Sequence, residues 1–268
     1  MFQDVAYIEL NYCLKGDKKN PVLLLLHGFM GNSEDFNSVI SLLSQEFCCL
    51  TVDLPGHGKT KIFGGEEYYT MPNTAQALIE LLDSLEIDQC FLAGYSMGGR
   101  LALYMTLEFS SRFQKVILES ASPGLKSEQA RSLRIQADEK LAHQLETTNF
   151  KSFLSNWYNQ PIFNSLRNHP DLMQLIDYRL NNNPLELAKS LRQMGTGKQP
   201  SLWEKLKHNK IPLLLLVGEY DQKFRLINTE MAHICPVAQL KIISKTGHNI
   251  HLENRQEWII QVKQFCQG

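Results

Sequence analysis

Six short apolar runs punctuate the chain, at 22–26, 48–52, 90–93, 116–118, 213–217 and 240–243, each of strand length and bounded by turn-forming residues. They are continuous rather than alternating, as expected of strands covered on both faces. Between several of them apolar positions recur at helical spacing, at 38–43, 74–85 and 101–108. This alternation predicts an α/β fold with a mainly parallel sheet flanked by helices. The rhythm breaks between 123 and 210, where strand-like runs vanish and five helical patterns follow one another, at 126–145, 150–158, 171–180, 184–194 and 201–208. The pattern divides the chain into a core formed by 1–122 and 211–268 and a helical insertion at 123–210. An insertion there is placed to act as a lid over the strand ends, where ligands sit in open α/β sheets, or to serve as a subdomain that only adds core.

The length of 268 residues fits one large domain carrying an insertion. A net charge of -1 with no long run of one sign argues against a nucleic-acid surface or a charged tail, and the expected partner is a small molecule. No segment reaches about 18 uninterrupted apolar residues, and the first residues, Met1-Phe2-Gln3-Asp4, carry no basic stretch leading into an apolar one. No membrane association is expected, and the expected compartment is the cytoplasm. Cys13, Cys48, Cys49, Cys90, Cys235 and Cys266 lack Cys-x-x-Cys spacing, several lie within apolar runs, and they read as buried thiols. With no ligand cluster, Gly-x-Gly-x-x-Gly or phosphate loop, neither a metal nor an organic cofactor is expected.

The chemistry points to Gly94-Tyr95-Ser96-Met97-Gly98, where an apolar run turns into a helix-forming segment. A serine at so sharp a turn takes a strained backbone conformation, and its flanking glycines remove Cβ atoms that would collide there. Such a hydroxyl needs a base, usually a histidine oriented by a carboxylate. His248 follows the last apolar run and Asp221 the preceding one, so Ser96, Asp221 and His248 stand in the chain order of an α/β-hydrolase triad. Asp53 and Glu219 are rival acids, and His251 a rival base or substrate contact; His57 reads as part of a glycine turn. A metal pair formed by His248 and His251 has no acidic cluster to support it. The amides of Phe29, after His27-Gly28, and of Met97 are candidates for an oxyanion hole.

Taken together, His27-Gly28-Phe29, Asp53-Leu54-Pro55-Gly56-His57-Gly58, Gly94-Tyr95-Ser96-Met97-Gly98-Gly99-Arg100, Gly218-Glu219-Tyr220-Asp221 and Gly247-His248-Asn249 make the chain resemble an α/β-hydrolase over its whole length. More narrowly it resembles the 2-succinyl-6-hydroxy-2,4-cyclohexadiene-1-carboxylate synthases of menaquinone and phylloquinone biosynthesis. That likeness rests on the Gly-Tyr-Ser-Met-Gly-Gly-Arg motif, Ser122-Pro123-Gly124-Leu125, the stretch 131–138, Trp157-Tyr158-Asn159-Gln160-Pro161-Ile162-Phe163, Arg179 followed by Asn181-Asn182-Asn183, Asp221-x-Lys223-Phe224, and Gly247-His248-Asn249-x-His251-x-Glu253-Asn254.

The resemblance implies a 2,5-elimination of pyruvate from a succinyl-enolpyruvyl cyclohexene, with Ser96 acting as a base. A substrate with several carboxylates needs cations in its pocket. Arg100 is the sharpest candidate, because a cation in the first turn of a helix opposes the helix dipole and calls for an anion or an acidic partner. Arg131, Arg134 and Arg179 are further candidates, with Trp157 as an apolar wall or indole donor and Tyr95 as a donor beside the serine. Two other functions stay open on the sequence: hydrolysis of an ester or carbon–carbon bond of an acidic substrate, and ligand binding without catalysis.

Overall fold

The computed structural model describes residues 7–268, so the N-terminal residues 1–4 considered above lie outside it. In chain order the elements are β1 (Tyr7–Glu9), β2 (Tyr12–Lys15), β3 (Val22–Leu26), α1 (Asn37–Leu43), β4 (Cys48–Val52), β5 (Lys61–Phe63), α2 (Met71–Ser84), β6 (Cys90–Tyr95), α3 (Met97–Glu108) and β7 (Phe113–Glu119). The helices α4 (Glu128–Thr147), α5 (Phe150–Tyr158), α6 (Leu172–Arg179), α7 (Pro184–Met194) and α8 (Trp203–Leu206) follow without an intervening strand. The chain closes with β8 (Leu213–Gly218), α9 (Gln222–Ile234), β9 (Ala238–Ile243), α10 (Ile250–Glu253) and α11 (Arg255–Gln267).

The main sheet has the order β2-β4-β3-β6-β7-β8-β9 and is parallel except for β2, which pairs antiparallel with β4. Leu23 to Leu26 of β3 are wholly buried, and each such leucine contributes about 1.5–3 kcal/mol by leaving water. One face packs on α1 and α11 through Phe36, Ile40, Leu43, Trp258 and Val262. The other packs on α2, α3 and α9 through Leu78, Leu82, Leu101, Met105 and Met231. Helices α4, α5 and α7 share an apolar cluster of their own, built around Ala142, Leu145, Phe153, Leu154, Leu187 and Leu191.

From β3 the chain runs outward to β4 and then returns to β6 on the other side of β3. The carboxyl ends of β3 and β6 therefore flank the point at which the winding direction reverses, where an open α/β sheet leaves a crevice. His27–Phe29 continue from one of these ends and Ser96 from the other.

Three strands escape the sequence pattern. β1 and β5 form a separate antiparallel pair, and β2 lies at the sheet edge; all three are short and mostly exposed, so no apolar run marks them. The pattern at 201–208 reduces to the single turn of α8.

Candidate active site

Ser96 sits between β6 and α3 at φ 48 and ψ -104, a region costly for any residue with a Cβ. The turn closes because its neighbours are glycines. A Cβ on Gly94 would strike the Gly98 carbonyl, and one on Gly98 would run into the carbonyl oxygens of Leu26 and His27. The Ser96 N–H donates to the Glu119 carbonyl at 2.8 Å, and the Ser96 carbonyl accepts the Arg100 N–H at 2.9 Å, so the strained residue is tied on both sides.

The Ser96 hydroxyl lies 3.0 Å from His248 Nε2, and His248 Nδ1 lies 2.6 Å from Asp221 Oδ2. With Nδ1–H donating to the carboxylate, Nε2 is the bare nitrogen and can accept a hydrogen bond from the Ser96 hydroxyl. His248 and Asp221 are both buried, and Phe163 and Phe224 pack their rings about the imidazole at 6.0 and 4.7 Å. Asp221 also caps α9 by accepting the Phe224 N–H. The loop carrying His248 is pinned by Glu253, whose carboxylate accepts the N–H groups of Gly247 and Asn249 at 2.8 and 3.2 Å. Burial pushes that carboxyl up from its ordinary value, and the two amides restrain the rise.

The rivals are engaged elsewhere. Asp53 accepts from Ser33 N–H at 2.6 Å, Lys59 N–H at 2.8 Å and the Asn11 amide at 2.8 Å. Burial raises its pKa, but the backbone donors outweigh burial and hold it below the usual carboxylate value. Glu219 is exposed and accepts the Lys245 N–H. His251 faces Glu119 rather than Ser96. Burial pushes His57 down to about 3, and it stays neutral inside its turn.

The turn leaving β3 is set by His27, whose Nε2 accepts the Leu54 N–H at 2.9 Å while Nδ1 donates to the Gly28 carbonyl at 2.8 Å. Gly28 packs flat on the Tyr95 ring, where a Cβ would meet Tyr95 Cε1 at 2.6 Å. Phe29 and Met97 thus come to line one cavity with Ser96, His248 and Asp221.

That cavity has a volume of about 1000 Å³, and residues from the 123–210 segment, among them Trp157, Phe163 and Leu191, form part of its lining. Trp157 stands against Phe29 and Phe153 as part of its wall. Arg100 and Arg134 also line it. Arg100 is buried, donates to Gln199 Oε1 at 3.2 Å and to the Met194 carbonyl at 3.0 Å, and forms no ion pair among the described residues. Burial, and then the charge of Arg134, push it down to about 10. Arg134 itself pairs with Asp138 at 2.7 Å.

Three of the residues expected at the substrate lie outside the cavity wall. Arg179 turns instead to Asp35, with a bidentate, fully buried pair at 2.5 and 2.7 Å. Arg131 reaches Glu128 and the Gly197 carbonyl at the surface of α4. Tyr95 is buried with its ring between His248 and His251, at 5.5 and 4.9 Å from them. In each case a partner distant in sequence or facing the other way decides the direction. Sequence reasoning in turn passed over Lys223 and Lys126, which add charge to the cavity wall. Lys223 is lowered by burial and by Arg134, while Lys126 pairs with Glu230 and lies 4.3 Å from the Trp203 ring centroid. Lys223 stands two residues after the candidate acid, in the first turn of α9.

A family profile described as alpha/beta hydrolase fold matches residues 21–255. A putative 2-succinyl-6-hydroxy-2,4-cyclohexadiene-1-carboxylate synthase of Bacillus subtilis is 35% identical over 89% of this chain and 88% of its own length. The chloroplastic protein PHYLLO of Arabidopsis thaliana is 34% identical over 91% of this chain, which spans only 15% of that larger protein. The structure of MenH from S. aureus superposes with a TM-score of 0.90 at 35% identity, covering 96% of this chain and 97% of that one.

Proposed function

Because the chain belongs to the α/β-hydrolase fold family and, within it, to the 2-succinyl-6-hydroxy-2,4-cyclohexadiene-1-carboxylate synthases, we propose that it is the enzyme that eliminates pyruvate from 2-succinyl-5-enolpyruvyl-6-hydroxy-3-cyclohexene-1-carboxylate. It thereby serves menaquinone or phylloquinone biosynthesis. The observation that carries this reading is the placing of the Ser96, His248 and Asp221 series on the same cavity as Arg100, a buried cation that forms no ion pair among the described residues.

In this reading His248 Nε2 takes the Ser96 proton, and the Ser96 oxygen takes a proton from ring carbon 2, beside the succinyl carbonyl. The electron pair left behind forms the double bond between ring carbons 2 and 3. The existing double bond moves to carbons 4 and 5, and the bond from carbon 5 to oxygen breaks. The departing enolpyruvate gains on its methylene carbon the proton carried by His248, directly or through water, becoming pyruvate and returning His248 to its neutral form. Charge that spreads onto the succinyl oxygen meets the amides of Phe29 and Met97. No covalent intermediate is needed. Asp221 holds the imidazole in the tautomer that leaves Nε2 bare. Arg100, Arg134 and Lys223 bind the carboxylates, Trp157 walls the ring, and the segment 123–210 acts as a lid on the core 1–122 and 211–268. Six unpaired cysteines support a cytoplasmic location.

Incubation of the purified protein with this substrate, in parallel with a p-nitrophenyl ester, tests the reading. Pyruvate release with negligible ester cleavage is expected, and Ser96→Ala reduces it by about 10²- to 10⁴-fold. Ester cleavage without pyruvate release overturns it in favour of a hydrolase.

A further inference from the structure

The reaction leaves a second buried acid–histidine pair unused. Glu119, the last residue of β7, has a side chain 2% exposed, and its carboxylate lies 2.8 Å from Nδ1 of the equally buried His251. The same carboxylate accepts the Ile250 N–H at 2.6 Å and the His251 N–H at 3.2 Å, at the start of α10. Its own main-chain carbonyl accepts the Ser96 N–H at 2.8 Å. One residue is therefore bonded at its backbone to the strained serine and at its side chain to the segment two residues beyond His248. The His251 ring is held by Phe36 at 4.8 Å, Trp258 at 6.2 Å and Tyr95 at 4.9 Å, and the Tyr95 ring lies 5.5 Å from His248.

We propose that Glu119 and His251 are positioning residues that set the distance and angle between the Ser96 hydroxyl and His248 Nε2. The inference rests on the reading of Ser96 and His248 as the reacting pair. Neither positioning residue lines the cavity, so neither touches substrate. They act through three links: the Glu119 carbonyl fixes the elbow, the Glu119 carboxylate fixes the base loop, and the His251 ring backs Tyr95 against the base. A buried carboxylate that loses its donors is costly, so the pair persists only while the two loops stay in register.

The test compares Glu119→Gln, His251→Phe and His251→Asn with the native enzyme. Glu119→Gln keeps an oxygen for the amides of α10 but loses the charge; His251→Asn keeps a donor near the Nδ1 position, and His251→Phe keeps only the ring. The readouts are kcat and KM for pyruvate release, the rate of Ser96 labelling by a fluorophosphonate, and thermal unfolding. Misplacing a reacting group by about 1 Å costs about 10²-fold, so Glu119→Gln and His251→Phe are expected to lower kcat and labelling together by that order in a protein that remains folded. KM stays within about twofold and His251→Asn recovers most of the loss. Unchanged labelling and kcat in folded Glu119→Gln and His251→Phe overturn the proposal, as does an equal loss in His251→Asn and His251→Phe. Labelling reports the Ser96–His248 geometry whatever the substrate, so failure of the synthase reading appears separately, as labelling without pyruvate release.

Discussion

Arg100 concentrates at one residue the conflict that makes a binding site. It is the fourth residue of α3, where the positive end of the helix dipole disfavours a cation, and it is buried, which costs the charge its hydration. Its hydrogen-bond acceptors are neutral, the Gln199 amide oxygen and the Met194 carbonyl, the latter at the negative end of α7, and the Asp138 carboxylate acts on it only through charge, without a hydrogen bond. Burial and Arg134 bring its pKa down to about 10, so near neutral pH it remains a cation without a counter-charge in hydrogen-bonding reach. In the proposed function, a substrate carboxylate reaching this side of the cavity would supply that counter-charge. Charge-assisted hydrogen bonds of this kind contribute about 1.5–3 kcal/mol, so Arg100→Gln is expected to lower kcat/KM for pyruvate release by about 10- to 100-fold, mainly through KM. Arg100→Lys recovers part of the loss, because it restores charge but not the planar fork. Steady-state kinetics of the two variants check this, and an unchanged KM in Arg100→Gln counts against a carboxylate at that position.

At the scale of elements, the elbow between β6 and α3 works because α3 starts almost in contact with the end of β3. Gly98 is the point of contact, with the Leu26 and His27 carbonyls where its Cβ would lie. Gly98→Ala must therefore push α3 away from β3, an overpacking that costs about 1–3 kcal/mol. Because Met97 and the β3 loop would separate, the loss of pyruvate release should exceed what the fall in thermal stability accounts for; equal turnover per folded molecule would refute the close-approach argument. This element was readable in advance because Gly-x-Ser-x-Gly states its constraints within five neighbouring residues. The central strands were readable for a similar reason: the run 22–26 has no polar position to hide, and β3 is buried on both faces. β2 was not, since its role at the sheet edge depends on pairing Tyr12 to Lys15 with β4, 34 to 40 residues away. The arginines of the 123–210 segment could not be told apart for the same reason. Arg134 and Arg131 lie three residues apart on α4, and only the packed neighbours decide that the first faces the cavity while the second meets Gly197. Glu119 also gave little warning, for a glutamate ending an apolar strand announces neither its burial nor the histidine 132 residues away that it binds.

For the molecule as a whole, the 123–210 segment is tied by a buried ion pair to the turn between β3 and α1. Arg179 of α6 meets Asp35 through two parallel hydrogen bonds and also donates to the Tyr158 hydroxyl at 3.3 Å, while nearby Asn182 donates to the Met30 carbonyl at 2.9 Å. Burial alone would raise the Asp35 carboxyl; the Arg179 charge and its hydrogen bonds reverse this and hold it below its ordinary 3.8. Arg179 is raised in turn, burial being outweighed by Asp35 and Tyr158. A carboxyl depressed in the folded state binds its proton more readily when unfolded. Its contribution is thus complete above pH 3.8 and is lost as the pH falls through the lower folded value. Asp53, depressed by the amides of Lys59 and Ser33, adds to the same acid limb, so a native titration alone does not isolate the pair. Asp35→Asn does. It leaves the guanidinium buried without its counter-charge and is expected to cost about 3–5 kcal/mol near neutral pH. Denaturant unfolding followed from pH 7 down to about pH 3 should show the gap between native and variant beginning to narrow below pH 3.8, where the unfolded carboxyl takes up a proton before the folded one does. The double variant Asp35→Leu with Arg179→Met, which removes both charges, should be more stable than Asp35→Asn alone, because burying neither ion costs less than burying one. Equal stability of native and Asp35→Asn at neutral pH, or a gap that does not change with pH, would mean that the segment is held there by its apolar contacts and not by this pair.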